Sequence, residues 1–83
     1  MTPKIFLFTQ TGCLSCELMK LFLEAKGIVF EERNMSSDTA ARAELLETYD
    51  SRTAPTLVIL SSSGTQVIEG FKPDRLDLVL SAA

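Results

Sequence analysis

Cys13 and Cys16 are the only cysteines in the chain, and two residues, Leu14 and Ser15, separate them. Two thiols this close can form a structural bridge, share a soft metal ion, or exchange with other disulfides. A bridge over so short a loop removes little entropy from the unfolded chain, and secreted scaffolds use several bridges closing longer loops. The pair is therefore a poor staple. A tetrahedral zinc or iron–sulfur centre needs four ligands, and the chain has no His and no third Cys, so a non-enzymatic zinc or iron–sulfur carrier would have to share the pair across a dimer. An inert alternative is burial as two small hydrophobes, a common fate of free Cys. Disulfide exchange asks less: one thiol held as a thiolate and a second within reach of it.

The flanking residues supply that placement. Lys4-Ile5-Phe6-Leu7-Phe8 is a short apolar run of a strand buried on both faces, broken by Thr9-Gln10-Thr11-Gly12. From about Cys13 to Lys26, Leu14, Leu18, Leu21, Phe22 and Ala25 recur at three- and four-residue steps, which predicts a helix with that apolar stripe, stopped by Gly27. Cys13 then sits where the first free N–H groups and the helix dipole favour an anion, which makes it the natural nucleophile. Cys16, one turn on, is placed to resolve a mixed disulfide. Lys20 adds a weak positive charge that Glu17 opposes, so the helix terminus carries most of the expected pKa lowering.

Beyond this unit, Ile28-Val29-Phe30 running into Glu31-Glu32-Arg33 reads as a second strand that starts inside and ends solvated, parallel to the first. Ser36 and Ser37, with Asp38 in the first turn, mark a helix start, and Ala41, Leu45, Leu46 and Tyr49 form its apolar stripe. Thr56 to Leu60 and Thr65 to Glu69, joined by Ser61-Ser62-Ser63-Gly64, read as a hairpin. Pro73 suits the first position of a last helix carrying Leu76, Val79 and Leu80, tapering at Ser81-Ala82-Ala83. Met19, Phe22, Leu45 and Tyr49 are read as packing residues without chemistry.

Composition narrows the function further. The chain has 83 residues, 46% of them hydrophobic and 23% charged, as expected of one small domain over residues 1–83. Eight Lys and Arg against eleven Asp and Glu leave a net charge of -3, the wrong sign for binding nucleic acid or an anionic membrane. The absence of His removes Ser-His and Cys-His nucleophilic pairs and His bases. The apolar runs are too short to span a membrane, and Met1 to Lys4 does not lead into a signal-peptide core, so a cytoplasmic monomer is expected.

Three motifs carry a resemblance across nearly the whole chain: Thr11-Gly12-Cys13-Leu14-Ser15-Cys16 after the first strand, Thr53-Ala54-Pro55-Thr56 before the third, and Gly70-Phe71-Lys72-Pro73-Asp74 opening the last helix. In that order they resemble a glutaredoxin of the thioredoxin superfamily. The Gly-Phe-basic-Pro-Asp segment is similar to that of the NrdH-redoxins, glutaredoxin-like electron donors to ribonucleotide reductase. The resemblance implies an α/β thioredoxin-like fold, β-α-β-α-β-β-α, with a mixed four-stranded sheet flanked by three helices. It also implies a dithiol oxidoreductase that reduces protein disulfides and has no bound cofactor. Pro55 is then cis and faces the thiol pair, whereas the sequence alone reads it as an ordinary strand-edge proline. Gln10, Thr11, Gly12, Leu14, Thr53, Ala54, Pro55, Gly70, Phe71 and Asp74 become candidate substrate-binding residues beside catalytic Cys13 and Cys16.

Departures from the family pattern bear on the reductant. Leu14-Ser15 replaces the usual Pro-Tyr between the cysteines, which leaves the potential open within roughly -270 to -200 mV. Ile68 and Glu69 stand where NrdH-redoxins often carry an aromatic residue. Gln10 occupies the place of a Lys that binds a glutathione carboxylate in relatives, and a neutral amide lacks that charge. Lys72, in the loop opening the last helix, is a candidate substitute for that charge. Electrons are therefore expected from thioredoxin reductase in preference to glutathione, with apolar contacts from Leu14 and Phe71.

Overall fold

The computed structural model describes residues 3–82. Its elements, in chain order, are β1 (Lys4–Thr9), α1 (Leu14–Ala25), β2 (Glu31–Asn34), α2 (Thr39–Tyr49), β3 (Thr56–Ser61), β4 (Gly64–Glu69) and α3 (Pro73–Ala82). The four strands make one mixed sheet in the order β2-β1-β3-β4, with β1 and β2 parallel and the other two pairs antiparallel. This is the expected β-α-β-α-β-β-α thioredoxin-like fold. Met1, Thr2 and Ala83, which belong to the expected domain span 1–83, lie outside the described residues, and α3 continues through the expected taper to Ala82.

Alternation along β1 divides the core into two layers. Ile5 and Leu7 join Met19 and Leu23 of α1, Leu57 and Ile59 of β3, Ile68 of β4 and Leu76 of α3. Phe6 and Phe8 point the other way, into a cluster with Met35, Val58 and the α2 residues Ala41 and Leu45. Helices α1 and α3 thus cover one face and α2 the other, and β1 is buried on both, as its unbroken apolar run predicts.

Three local expectations are corrected. The buried face of α1 is Cys16, Met19 and Leu23, while Leu14, Leu18 and Leu21 are 75%, 42% and 62% exposed. Both sets have helical spacing, so periodicity establishes the helix without choosing which of two apolar rows meets the sheet. The second strand begins at Glu31, because the amides of Gly27 and Ile28 bond back to the carbonyls of Glu24 and Leu23 and the chain first pairs with β1 where Glu31 meets Phe6. Ile28 and Phe30 instead pack against the core as a lead-in, and Glu31–Asn34 forms the strand itself.

The third correction concerns the start of α2. Asp38 is the N-cap, outside the first turn, and its carboxylate accepts from the amides of Ala40 (3.0 Å) and Ala41 (3.3 Å). Losing such a cap weakens a helix by about 1 kcal/mol. Asp38→Ala is expected to lower stability by roughly that amount in urea unfolding, with Asp38→Ser close to the parent; equal losses for both would assign the effect to something other than capping.

Candidate active site

The strand-to-helix junction places the thiol pair. After β1, Thr11 and Gly12 turn the chain, with Gly12 at φ 75°, a conformation costly for a residue with a side chain, and the Thr11 amide donates to Ser36 Oγ (3.0 Å). Cys13 follows in extended conformation as the N-cap of α1. Cys13 and Cys16 are joined in a disulfide with a Cα–Cα distance of 5.2 Å. Cys13 is half-buried, whereas Cys16 is 1% exposed and forms part of the inner face of α1.

Donors converge on one sulfur. The Cys16 amide donates to Cys13 Sγ at 3.1 Å, and the Ser15 hydroxyl, 3.4 Å away, donates to the same atom, which carries no proton in the disulfide. A sulfur at this position that became a thiolate would keep both donors and gain the favourable end of the helix dipole. Lys20 supplies little free charge: its ammonium pairs with Glu17 (3.1 Å) and Glu32 (3.4 Å). Glu17 foremost, with Glu32, raises the Lys20 pKa against the opposing effect of desolvation. Lys20 therefore stays charged but is already matched by two carboxylates.

Facing Cys13 is the loop that precedes β3. The Ala54–Pro55 bond is cis, as the resemblance implies, and Pro55 is buried where the sequence alone suggests an edge residue. The Ala54 carbonyl oxygen lies 4.0 Å from Cys13 Sγ. A bond within the loop, the Gly70 amide and the Glu69 side chain hold this segment. Thr56 Oγ1 donates to the Thr53 carbonyl (2.6 Å), the Gly70 amide donates to the Pro55 carbonyl (2.7 Å), and Glu69 accepts from Ser51 (2.6 Å) and Thr53 (3.2 Å). Ser51 foremost, then Thr53 and the charge of Lys72, lowers the Glu69 pKa despite some desolvation. The stability from this clamp is complete above the ordinary carboxylate pKa and is lost as pH falls through the lowered value of the folded state.

The remaining candidates spread around this centre. Leu14 is exposed directly beside Cys13. Gly70, at φ 82°, is brought to the loop by its bond to Pro55, while Phe71 is half-buried, edge-on to Phe22 at 5.9 Å and packed against the core, so part of its ring is already used in packing. Asp74 lies exposed in the first turn of α3. Gln10 is exposed and lines a cavity of about 430 Å³ together with Arg42, Ser51 and Arg52.

Sequence reasoning missed Ser15, Ser51, Glu69 and the two arginines. Ser15 was legible in principle, as a hydroxyl inside the motif. The others come into the site from α2, β4 and the loop between α2 and β3, through contacts across many residues that no local pattern announces. Among the described residues no group of three or more His, Cys, Asp or Glu could hold a metal ion, and no helix is long and apolar enough to cross a membrane.

Comparison with known proteins agrees with this geometry. The glutaredoxin family model matches residues 5–62, more than half of the chain. The crystal structure of the thioredoxin-like protein BC3987 superposes with a TM-score of 0.82 at 38% identity, covering 92% of this chain and 99% of that one. A glutaredoxin from Archaeoglobus fulgidus, at 15% identity, shares the fold with a TM-score of 0.77 over 93% of this chain and 85% of its own. The gene 56 protein of Mycobacterium phage D29 is 25% identical over 76 residues, 92% of this chain and 80% of that protein. The family match and the disulfide at the head of α1 lead to one conclusion: the chain belongs to the glutaredoxin family and is a redox oxidoreductase.

Proposed function

We propose that this protein reduces disulfides in other proteins, with Cys13 as nucleophile and Cys16 as resolving thiol, and that it serves as an NrdH-like electron donor, with ribonucleotide reductase the partner suggested by the Gly70-Phe71-Lys72-Pro73-Asp74 segment. The unequal placement of the two sulfurs is the observation that carries the roles: Cys13 is half-buried at a helix start, and Cys16 is sealed beneath it. In the reduced protein, the Cys13 thiolate attacks one sulfur of the substrate disulfide, forming a mixed disulfide and expelling the other sulfur as a thiolate. Cys16, losing its proton, then attacks Cys13 Sγ. The second substrate thiolate leaves, the Cys13–Cys16 disulfide closes, and two electrons have passed to the substrate. The substrate chain lies extended beside Thr53, Ala54 and Pro55, bonding to the free backbone of Ala54 in the manner of an added strand. A reducing cytoplasm suits this direction of flow.

The reductant is read as a thioredoxin reductase docking over Leu14 and the exposed part of Phe71, because Gln10 offers no charge to a glutathione carboxylate. One observation favours glutathione as a second reading: Arg42 and Arg52 share the cavity of Gln10 and present guanidinium groups suited to a carboxylate. NADPH consumption during reduction of a disulfide-bearing ribonucleotide reductase tail discriminates between them. Turnover is expected with thioredoxin reductase and only slowly with glutathione plus glutathione reductase; the reverse result assigns glutathione as the electron source. Visible absorbance or stoichiometric metal in aerobically or anaerobically purified protein would instead identify an iron–sulfur or zinc carrier dimerised through the same thiols.

A further inference from the structure

We propose that Glu69 is a positioning residue for the exchange reaction, its carboxylate clamping the Ser51–Ala54 loop so that the Thr53-Ala54 edge stays presented to Cys13 for an extended polypeptide substrate; this rests on the protein-disulfide reading above. The geometry is specific. One oxygen, Glu69 Oε2, accepts from Ser51 Oγ at 2.6 Å and Thr53 Oγ1 at 3.2 Å, 18 and 16 residues away in sequence. Both hydroxyls flank the loop whose Ala54 carbonyl lies 4.0 Å from Cys13 Sγ. Glu69 is the last residue of β4, paired with Thr56 at the first residue of β3, so its backbone is held by the hairpin while its side chain reaches across.

Counting protons shows that the loop depends on the acceptor. Thr56 commits its single hydroxyl proton to the Thr53 carbonyl at 2.6 Å. Ser51 Oγ is 3.1 Å from Thr56 Oγ1 but only 2.6 Å from Glu69, so its single proton goes to the carboxylate. Without that acceptor, the proton of Ser51, itself 2% exposed, would turn to Thr56 Oγ1 at 3.1 Å, and Ser51 and Thr53 would both lose their tie to β4. The hydroxyl donors lower the Glu69 pKa, so the clamp is ionised at neutral pH, with the Lys72 charge acting in the same direction. Glutamine can replace this function, because a single amide oxygen can accept from both hydroxyls.

The test compares two probes that differ in how much backbone they bring to the loop: insulin, whose disulfides are embedded in polypeptide, and a small dialkyl disulfide. Pre-reduced protein is mixed with each under single-turnover conditions, with folding checked by circular dichroism. For Glu69→Ala the rate constant with insulin is expected to fall about tenfold, the scale of one lost charge-assisted hydrogen bond, with less than a twofold change for the small disulfide. Glu69→Gln should recover most of the loss. Thr53→Val, which removes one donor and leaves its backbone, should reproduce part of it and provides the measurement should Glu69→Ala fail to fold. Equal losses on both probes, or a Glu69→Gln variant as slow as Glu69→Ala, would overturn the positioning role. A parent protein that reduces the small disulfide but not insulin would overturn the protein-disulfide reading and this role with it, whereas insulin reduction unaffected by Glu69→Ala and Thr53→Val would overturn this role alone.

Discussion

Cys13→Ser is expected to abolish disulfide reduction, with a loss of about three orders of magnitude or more, the scale seen when an enzyme nucleophile is removed. Cys16→Ser is expected to behave differently, arresting the protein as a stable mixed disulfide with its substrate. The contrast follows from position. Cys13 Sγ receives the Cys16 amide and the Ser15 hydroxyl and is partly open to solvent, whereas Cys16 is buried in the face of α1 that meets the sheet. A serine hydroxyl at position 13 does not ionise near neutral pH and cannot attack a disulfide. A serine at position 16 leaves the first attack intact and removes only the escape from its product. Mass spectrometry after a single turnover checks this directly: a covalent adduct on Cys16→Ser and none on Cys13→Ser. Retained activity in Cys13→Ser, or an adduct through position 16, would reverse the two assignments.

Phe8→Ala is expected to destabilise the fold by about 3–5 kcal/mol, a large share of the roughly 5–15 kcal/mol that holds a domain together. Phe8 is fully buried in the central strand, in the cluster of Phe6, Met35, Ala41, Leu45 and Val58, with the Tyr49 ring 5.9 Å away. Removing the ring leaves a cavity lined by both β1 and α2, elements that the backbone pairing of β1 with β2 and β3 prevents from collapsing inward. For a domain of this size, the melting temperature should fall on the order of 15 °C or more. A loss below about 1.5 kcal/mol would mean that the cluster repacks freely, contrary to the layered arrangement described above.

Much of this architecture was legible in the chain, for identifiable reasons. Ile5 to Phe8 is apolar at every position because both faces of β1 are covered, and Gly12 and Gly27 mark the ends of the helix unit between them. What periodicity could not supply was phase. With Leu14, Leu18 and Leu21 on one side of α1 and Met19 and Leu23 on another, only the position of the sheet decides which row is inside. The start of β2 is hidden from composition, because Ile28-Val29-Phe30 is strand-like but lies before the chain comes alongside β1. The cis Ala54–Pro55 bond was expected from family resemblance alone, since the residue types favour trans. Glu69 was invisible because its partners Ser51 and Thr53 belong to a different loop and their meeting is a product of the finished fold.

The Cys13 sulfur is both the redox atom and the cap of α1, and this places electron affinity and folding in a single thermodynamic cycle. On folding, the reduced chain gains the attraction between a thiolate and the unpaired amides at the helix start, while the oxidised chain caps the same helix with a neutral sulfur. Any extra folding free energy of the reduced form must reappear as a higher reduction potential than that of the unfolded Cys13-Leu14-Ser15-Cys16 segment, about 30 mV for each 1.4 kcal/mol. Comparing melting curves of the two redox forms therefore measures, without an electrode, how far folding moves the potential from that of the unfolded segment. Conversely, a substitution far from either sulfur shifts the potential whenever it changes the strength of the first turn of α1 by different amounts in the two forms.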